Sequence, residues 1–250
     1  MIGEVPFWAI QDGGELLVPP HNEELARHYF ALDHPLPEIC ATFPQDSAMA
    51  SAQEFCRGLR IIRQPAWECL ATFITSAMKQ VAHIAQISHT LRERFGGRYE
   101  GAGYAFHSYP TPQRLASLSE ADLRTCALGF RAKNLLGTAR MIAAGEVDLS
   151  HVESLDEAAA RTELCRLPGV GEKVANCTLL FGFGRLKAFP VDVWIERVLR
   201  QIYFARKRMV TAKRLREFSA GYFGAYGGYA QQYLFHHARK TWGRRKVSEP

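Results

Sequence analysis

Two residues suited by type and spacing to chemistry are Lys173 and Asp192, nineteen positions apart. Lys173 follows Leu167-Pro168-Gly169-Val170-Gly171, a sharp turn between two helical patterns. Pro168 stops the incoming helix, and the two glycines supply open backbone geometry. The outgoing helix starts at about Gly171, and its first turn leaves N–H groups that attract phosphate. A lysine amine is a nucleophile that forms Schiff bases once it is deprotonated, which partial burial favours. An acid would suit a first helical turn better, because a helix N-terminus is positive. That misfit argues for a chemical role. Cys177 stands four residues on, on the same helix face. Asp192, just past Pro190, opens a further helix, where it both caps the N-terminus and offers a negative charge. Taken alone, Lys173 reads as a solvated lysine, Asp192 as a cap and the glycines as a plain helical joint. The pair at this spacing behind such a turn is the stronger signal.

Four segments carry a family resemblance: LPGVGEKVANC at 167–177, PVDVW at 190–194, LGFRAK at 128–133 and GYAQQYLF at 228–235. The chain resembles the base-excision DNA glycosylases built on a helix-hairpin-helix with a Gly/Pro-rich loop and a trailing aspartate. Within them it is most similar to the 8-oxoguanine DNA glycosylases. The resemblance runs from about Glu23 to Arg239. The lysine marks the subgroup that also cleaves the strand.

The resemblance implies a bifunctional enzyme that flips 8-oxoguanine out of duplex DNA, since a stacked base is out of reach of chemistry at its sugar. Lys173 would attack C1′, expel the base and form a Schiff base that permits β-elimination. Asp192 would stabilise the positive charge on the sugar. The main-chain N–H groups of Gly169, Val170 and Gly171 would grip a phosphate. Phe235 would stack on the extruded purine, Gln231 would read its Watson–Crick edge, and Cys177 would pack on its other face. Trp194 joins the DNA-binding set.

The wedge that fills the emptied stack falls at Ser76 to Gln80. The family pattern has an asparagine-rich turn there and an arginine four to five residues on that reads the opposite cytosine. This chain has Met78, Lys79 and His83 instead. Phe130 and Arg131 match the family's aromatic wedge and its second cytosine-reading arginine.

Two other readings stay open: a glycosylase for another damaged purine, and a non-catalytic helix-hairpin-helix DNA-binding protein. A pure binder has no reason to keep both Lys173 and Asp192. No cofactor is expected, apart from a structural cation that family members often place at the hairpin. Some members carry a four-cysteine iron–sulfur cluster after the catalytic region; no cysteine follows Cys177, so no iron–sulfur cluster is expected. The expected partner is double-stranded DNA containing a damaged purine, and the expected state a monomer.

Bulk properties agree. In 250 residues the formal charge is +6, unevenly placed. Residues 206 to 250 hold eleven Lys/Arg against Glu217 and Glu249, whereas residues 1 to 205 are close to neutral. A basic C-terminal fifth suits a polyanion, although Arg244-Arg245-Lys246 alone reads as a solubilising tail. The six cysteines form no C-x-x-C pair, which argues against a zinc or disulfide framework. No apolar run reaches the roughly 18 residues of a membrane span, and no secretory signal is evident. The expected location is the cytoplasm, on the nucleoid, or the nucleus.

The periodicity predicts a mostly α fold with a small, apparently reduced N-terminal β appendage. Residues 1–21 would be the remnant of a β-sheet domain and 22–250 the α-helical glycosylase domains, with the helix-hairpin-helix at about 156–183. Strands are expected at Phe7 to Ile10 and Glu15 to Val18 around Gly13-Gly14. Helices are expected from Glu23 onward, with a loop at 98 to 112 and single helices at Ser117 to Leu128 and Arg131 to Ala144.

Overall fold

A computed structural model describes residues 1–101, 104–205 and 209–242. The basic tail Arg244-Arg245-Lys246 and the basic residues 206–208 lie outside the described residues. The fold is mostly helical, with two short two-stranded sheets. The strands are β1 (Ile10–Asp12), β2 (Glu15–Leu17), β3 (Arg98–Gly101) and β4 (Tyr104–His107). The helices are α1 (Glu23–Tyr29), α2 (Leu36–Ala41), α3 (Ser47–Phe55), α4 (Ala66–Thr75), α5 (Val81–Phe95), α6 (Pro112–Ala116) and α7 (Glu120–Arg124). They continue with α8 (Arg131–Ala143), α9 (Leu149–Ser154), α10 (Glu157–Cys165), α11 (Glu172–Gly182), α12 (Val193–Val198), α13 (Ala212–Tyr222) and α14 (Gly227–Thr241). A π-helical turn, Leu199–Tyr203, follows α12 directly.

The chain forms two compact units, one of residues 1–32 with 62–184 and the other of 33–61 with 185–250. The division therefore does not fall at residue 22. The N-terminal strands belong to the first unit because Phe7 packs against Tyr29 and Phe30, and Asn22 Nδ2 donates to the Pro6 carbonyl.

In the first unit, α4 and α11 pack closely. Leu70, Ala71, Ile74, Ala175, Leu179 and Leu180 are buried there. Gly182 permits the approach: a Cβ on it would sit 3.2 Å from Ala66 Cα. Gln64 N donates to Phe181 O at 2.7 Å and locks the start of α4 to the end of α11. α4 is also tied to α5, where Arg92 pairs with Glu68 and donates to the His107 carbonyl. Burial raises the Glu68 carboxyl above its ordinary value, and Arg92 opposes that.

In the second unit, the core of α14 is Tyr229 and Tyr233. The Tyr229 hydroxyl bonds His34 Nδ1 at 2.8 Å, and the Tyr233 hydroxyl donates to Leu59 O at 3.2 Å. Asp46 caps α3 with one oxygen and accepts from the Tyr203 and Tyr222 hydroxyls with the other. The hydroxyls of Tyr229 and Tyr233 keep such partners because an unpaired buried hydroxyl is costly.

Three expected elements differ, and one helix is additional to those expected. The first strand is Ile10–Asp12, because Asp12 pairs with Glu15 across the two-residue turn and draws the register away from Phe7. The expected loop at 98 to 112 contains the antiparallel β3–β4 hairpin, with Tyr99 opposite Phe106. The helix expected at 117–128 begins earlier, at Pro112, and breaks between α6 and α7. Ser119 and Asp122 cap each other there and start a new helix. α9, capped by Asp148, was not expected.

Candidate active site

The helix-hairpin-helix is α10 and α11 joined by residues 166–171. Its turn is held from outside by α8. Thr138 Oγ1 donates to Pro168 O at 2.9 Å, and Gly137 lies under the Pro168 ring. Gly169 has a left-handed backbone with φ +79°, and a Cβ there would sit 2.8 Å from Asn134 Cβ. Only glycine meets both demands. Gly169 and Gly171 are exposed, whereas Val170 is 6% exposed and its N–H closes the turn on Leu167 O at 3.1 Å. Of the three amides expected to grip a phosphate, that of Val170 is engaged within the turn, and Gly169 and Gly171 stand at exposed positions.

Gly171 caps α11 with extended backbone, and Lys173 sits in the first turn, half-buried. Its amine lies 4.9 Å from the centre of the Phe73 ring and 3.5 Å from Ser76 Oγ. Both partners come from the C-terminal end of α4. Cys177, one turn further along α11, is 4% exposed, and its carbonyl lies 4.0 Å from Cys69 Sγ. Burial pushes the Cys69 thiol well above its ordinary value, so it remains a neutral packing group.

Between α4 and α5 the chain turns through Ser76 to Gln80. Met78 has φ +55° and is 91% exposed, projecting from the tip of the turn rather than packing against a helix end. Lys79 is half-buried and His83 exposed. The turn is anchored by Arg131, which is 5% exposed. Arg131 donates to Ala77 O from Nε at 2.7 Å and also from a terminal nitrogen, and to Leu128 O at 3.2 Å. Its guanidinium lies 4.3 Å from the centre of the exposed Phe130 ring. Met78, Phe130 and Arg131 thus share one surface.

The second unit holds the remaining expected site residues. Asp192 caps α12, with Oδ1 accepting from Ile195 N at 2.8 Å. Trp194 is half-buried, with the Arg197 guanidinium 5.9 Å from its ring centre. On α14, Gln231 is 2% exposed and its Oε1 accepts from Gln232 at 2.6 Å, while Phe235 is half-buried. Two cavities of this unit, of 320 and 270 Å³, share Trp242 in their walls and are not lined by Asp192, Gln231 or Phe235. Ser76 was named only as the start of the wedge region, and Phe73 not at all as a site residue. Asn134 and Thr138 also escaped. Their one legible signal was a position on helices flanking the named motifs.

Among the described residues, no three His, Cys, Asp or Glu side chains gather to hold a metal, and no helix is long and apolar enough to cross a membrane. A cation at the hairpin would have to use main-chain carbonyls, of which Leu167 O and Pro168 O already accept hydrogen bonds.

The hairpin, the amine behind it and the capping aspartate define a class. The chain belongs to the HhH-GPD superfamily of base excision DNA repair proteins, whose family model matches residues 71–220. The model for the N-terminal domain of 8-oxoguanine DNA glycosylase matches residues 19–70. Among relatives, a probable N-glycosylase/DNA lyase of Methanothermobacter thermautotrophicus is 33% identical over 80% of this chain and 70% of its own. An N-glycosylase/DNA lyase of Arabidopsis thaliana is 30% identical over 86% of this chain, which spans 62% of that protein. A solved structure of Clostridium acetobutylicum 8-oxoguanine glycosylase/lyase, bound to duplex DNA with cytosine opposite 8-oxoguanine, superposes with a TM-score of 0.87. It is 32% identical and covers 93% of this chain and 81% of its own.

Proposed function

We propose that this chain is a bifunctional DNA glycosylase and AP lyase that excises 8-oxoguanine from duplex DNA, with Lys173 as nucleophile. The observation that carries this reading is the position of the Lys173 amine. It stands in the first turn behind the hairpin, half-buried, on the Phe73 face and beside Ser76. A surface lysine has no need of such partners.

The Nζ lone pair attacks C1′ of the flipped nucleotide. The C1′–N9 bond breaks and its electron pair leaves with the purine, whose added proton is balanced by the one lost from the amine. The C1′–O4′ bond then opens, O4′ takes a proton, and a protonated imine joins Lys173 to the sugar. Loss of a C2′ proton lets the C3′–O bond break and releases the 3′ phosphate. Asp192 stabilises the positive charge that builds on the sugar as the base departs. Its cap bond to Ile195 holds the carboxylate in place. Gly169 and Gly171 amides hold a backbone phosphate, Phe235 stacks on the extruded purine and Gln231 reads its Watson–Crick edge. No step passes through a metal or cofactor. The protein acts as a monomer on DNA in the nucleoid or nucleus.

The test is a panel of duplexes, each with one damaged base opposite cytosine. Release of 8-oxoguanine with strand cleavage is expected, and Lys173→Gln should lose both while still binding the duplex. Release of another damaged purine, with 8-oxoguanine untouched, would replace the lesion in this reading. Binding without excision by the natural protein would reduce it to a DNA-binding module.

A further inference from the structure

The turn that presents Met78 also carries a partner of the nucleophile. Ser76, Ala77 and Met78 are consecutive, and each is committed differently. Ser76 Oγ donates to Phe73 O at 2.7 Å, which turns its remaining lone pairs outward, and the Lys173 amine is 3.5 Å away. The Ala77 carbonyl is clamped by the Arg131 guanidinium. Met78 stands free in solvent.

Phe73 is itself fixed. Its ring stacks on Phe181 with centroids 5.6 Å apart and planes 20° from parallel. Phe181 belongs to α11, the helix that carries Lys173. The amine therefore rests on a ring whose position is set by both helices, with the Ser76 hydroxyl 3.5 Å from that amine. A lysine side chain has four rotatable bonds and loses rotamer freedom when held. Two weak contacts that order it before the substrate arrives reduce the share of that loss falling on the chemical step.

We propose that Ser76 and Phe73 are positioning residues for Lys173, and that Arg131 keeps Ser76 in place by clamping the next peptide. This inference rests on the reading of Lys173 as nucleophile. It gives the turn two tasks: Met78 enters the stack while Ser76 aims the amine, so entry of the wedge and placement of the nucleophile are mechanically linked.

The experiment uses the full chain and a duplex with a preformed abasic site, which removes base recognition from the readout. Borohydride trapping is followed in single turnover, with duplex affinity and melting temperature measured in parallel. Ser76→Ala should slow trapping about tenfold, within the range that small misplacements of reacting groups produce. Its affinity should stay within about twofold of the natural protein and its melting temperature should be unchanged. Ser76→Thr, which keeps the hydroxyl, should restore most of the rate. Phe73→Leu should slow trapping in the same way. Trapping by Ser76→Ala at the natural rate overturns the proposal, as does a loss matched by weaker DNA binding or not restored by threonine. A natural rate for Phe73→Leu removes Phe73 from it. Lys173→Gln run alongside separates the two levels: an adduct in that variant sinks the nucleophile assignment itself, whatever Ser76 does.

Discussion

Asp192 is a structural cap for which we propose a chemical role as well. Its carboxylate caps α12, and asparagine caps a helix as well as aspartate does. Asp192→Asn should therefore melt close to the natural protein yet lose orders of magnitude in turnover, because the charge it removes matters mainly in the transition state. Single-turnover excision and a melting curve on the same preparation check this, and a fully active variant leaves Asp192 as a cap only. The opposite base is a second matter of single residues. Methionine at 78 fills space without reading hydrogen bonds, and His83 is exposed. The guanidinium of Arg131 is already bonded to Ala77 and Leu128, which leaves it few donors for a base. Excision opposite cytosine should be only modestly faster than opposite the other three bases. Met78→Asn with His83→Arg should sharpen it, as seen in single-turnover rates against all four. Strict cytosine dependence in the natural protein would show that other residues read the base. Lys173 and Asp192 could be singled out as candidates in the sequence because the glycine turn gives them context. Phe73 and Ser76 were not, because nothing local joins residues about a hundred positions away to Lys173. The engaged amide of Val170 escaped for a related reason: which N–H a turn closes on itself depends on its dihedral angles.

At the scale of elements, α4 and α5 must keep their mutual position for the turn between them to present Met78 and Ser76. The buried Glu68–Arg92 pair is the tie, with side chains 18% and 17% exposed. Removing one partner of such a pair leaves an uncompensated charge, and Arg92→Ala should cost about 3–5 kcal/mol at neutral pH. The sign of its pH dependence follows from Glu68, whose folded value is raised by burial even with Arg92 present. A raised carboxyl is most favourable to the fold below its unfolded value and loses stability as pH rises through the folded one. Without Arg92 the burial effect stands alone and the folded value rises further. The destabilisation should thus be largest near pH 7.5 and shrink toward about pH 3, below the ordinary carboxyl value, where Glu68 is neutral in both states. Denaturant unfolding at the two pH values checks it, and an equal loss at both would rule out the charge as the cause. Helices with strong apolar periodicity, such as α4, α5, α11 and α14, could be read from the sequence. The β3–β4 hairpin could not, because its strands are only four residues long and lie close to the glycines at 96, 97 and 101. The break between α6 and α7 turns on a reciprocal cap that a helical pattern conceals.

Over the whole molecule, charge is the property that reaches beyond single contacts. A basic C-terminal fifth on a near-neutral body implies a salt-dependent grip, with log affinity falling linearly in log salt concentration. Removing residues 244 to 250 should lower that slope only slightly, since the tail is the weakest part of the basic patch and the proposed phosphate grip lies in the glycine turn. A duplex titration across salt concentrations measures both slopes, and a large loss of activity on truncation would make the tail part of the site. The two compact units each carry part of the proposed machinery: Lys173 and Cys177 in one, Asp192, Gln231 and Phe235 in the other. Sequence periodicity could not show this division, because each unit is assembled from two separate stretches of chain. The account stands or falls on which atom joins the DNA. The most direct measurement is to trap the natural protein with borohydride on a duplex containing 8-oxoguanine, digest the complex and locate the sugar remnant by peptide mass spectrometry. The account predicts the remnant on the peptide containing Lys173, at its side-chain nitrogen. A remnant on Lys79, on Lys187 or on the N-terminal amine would contradict it.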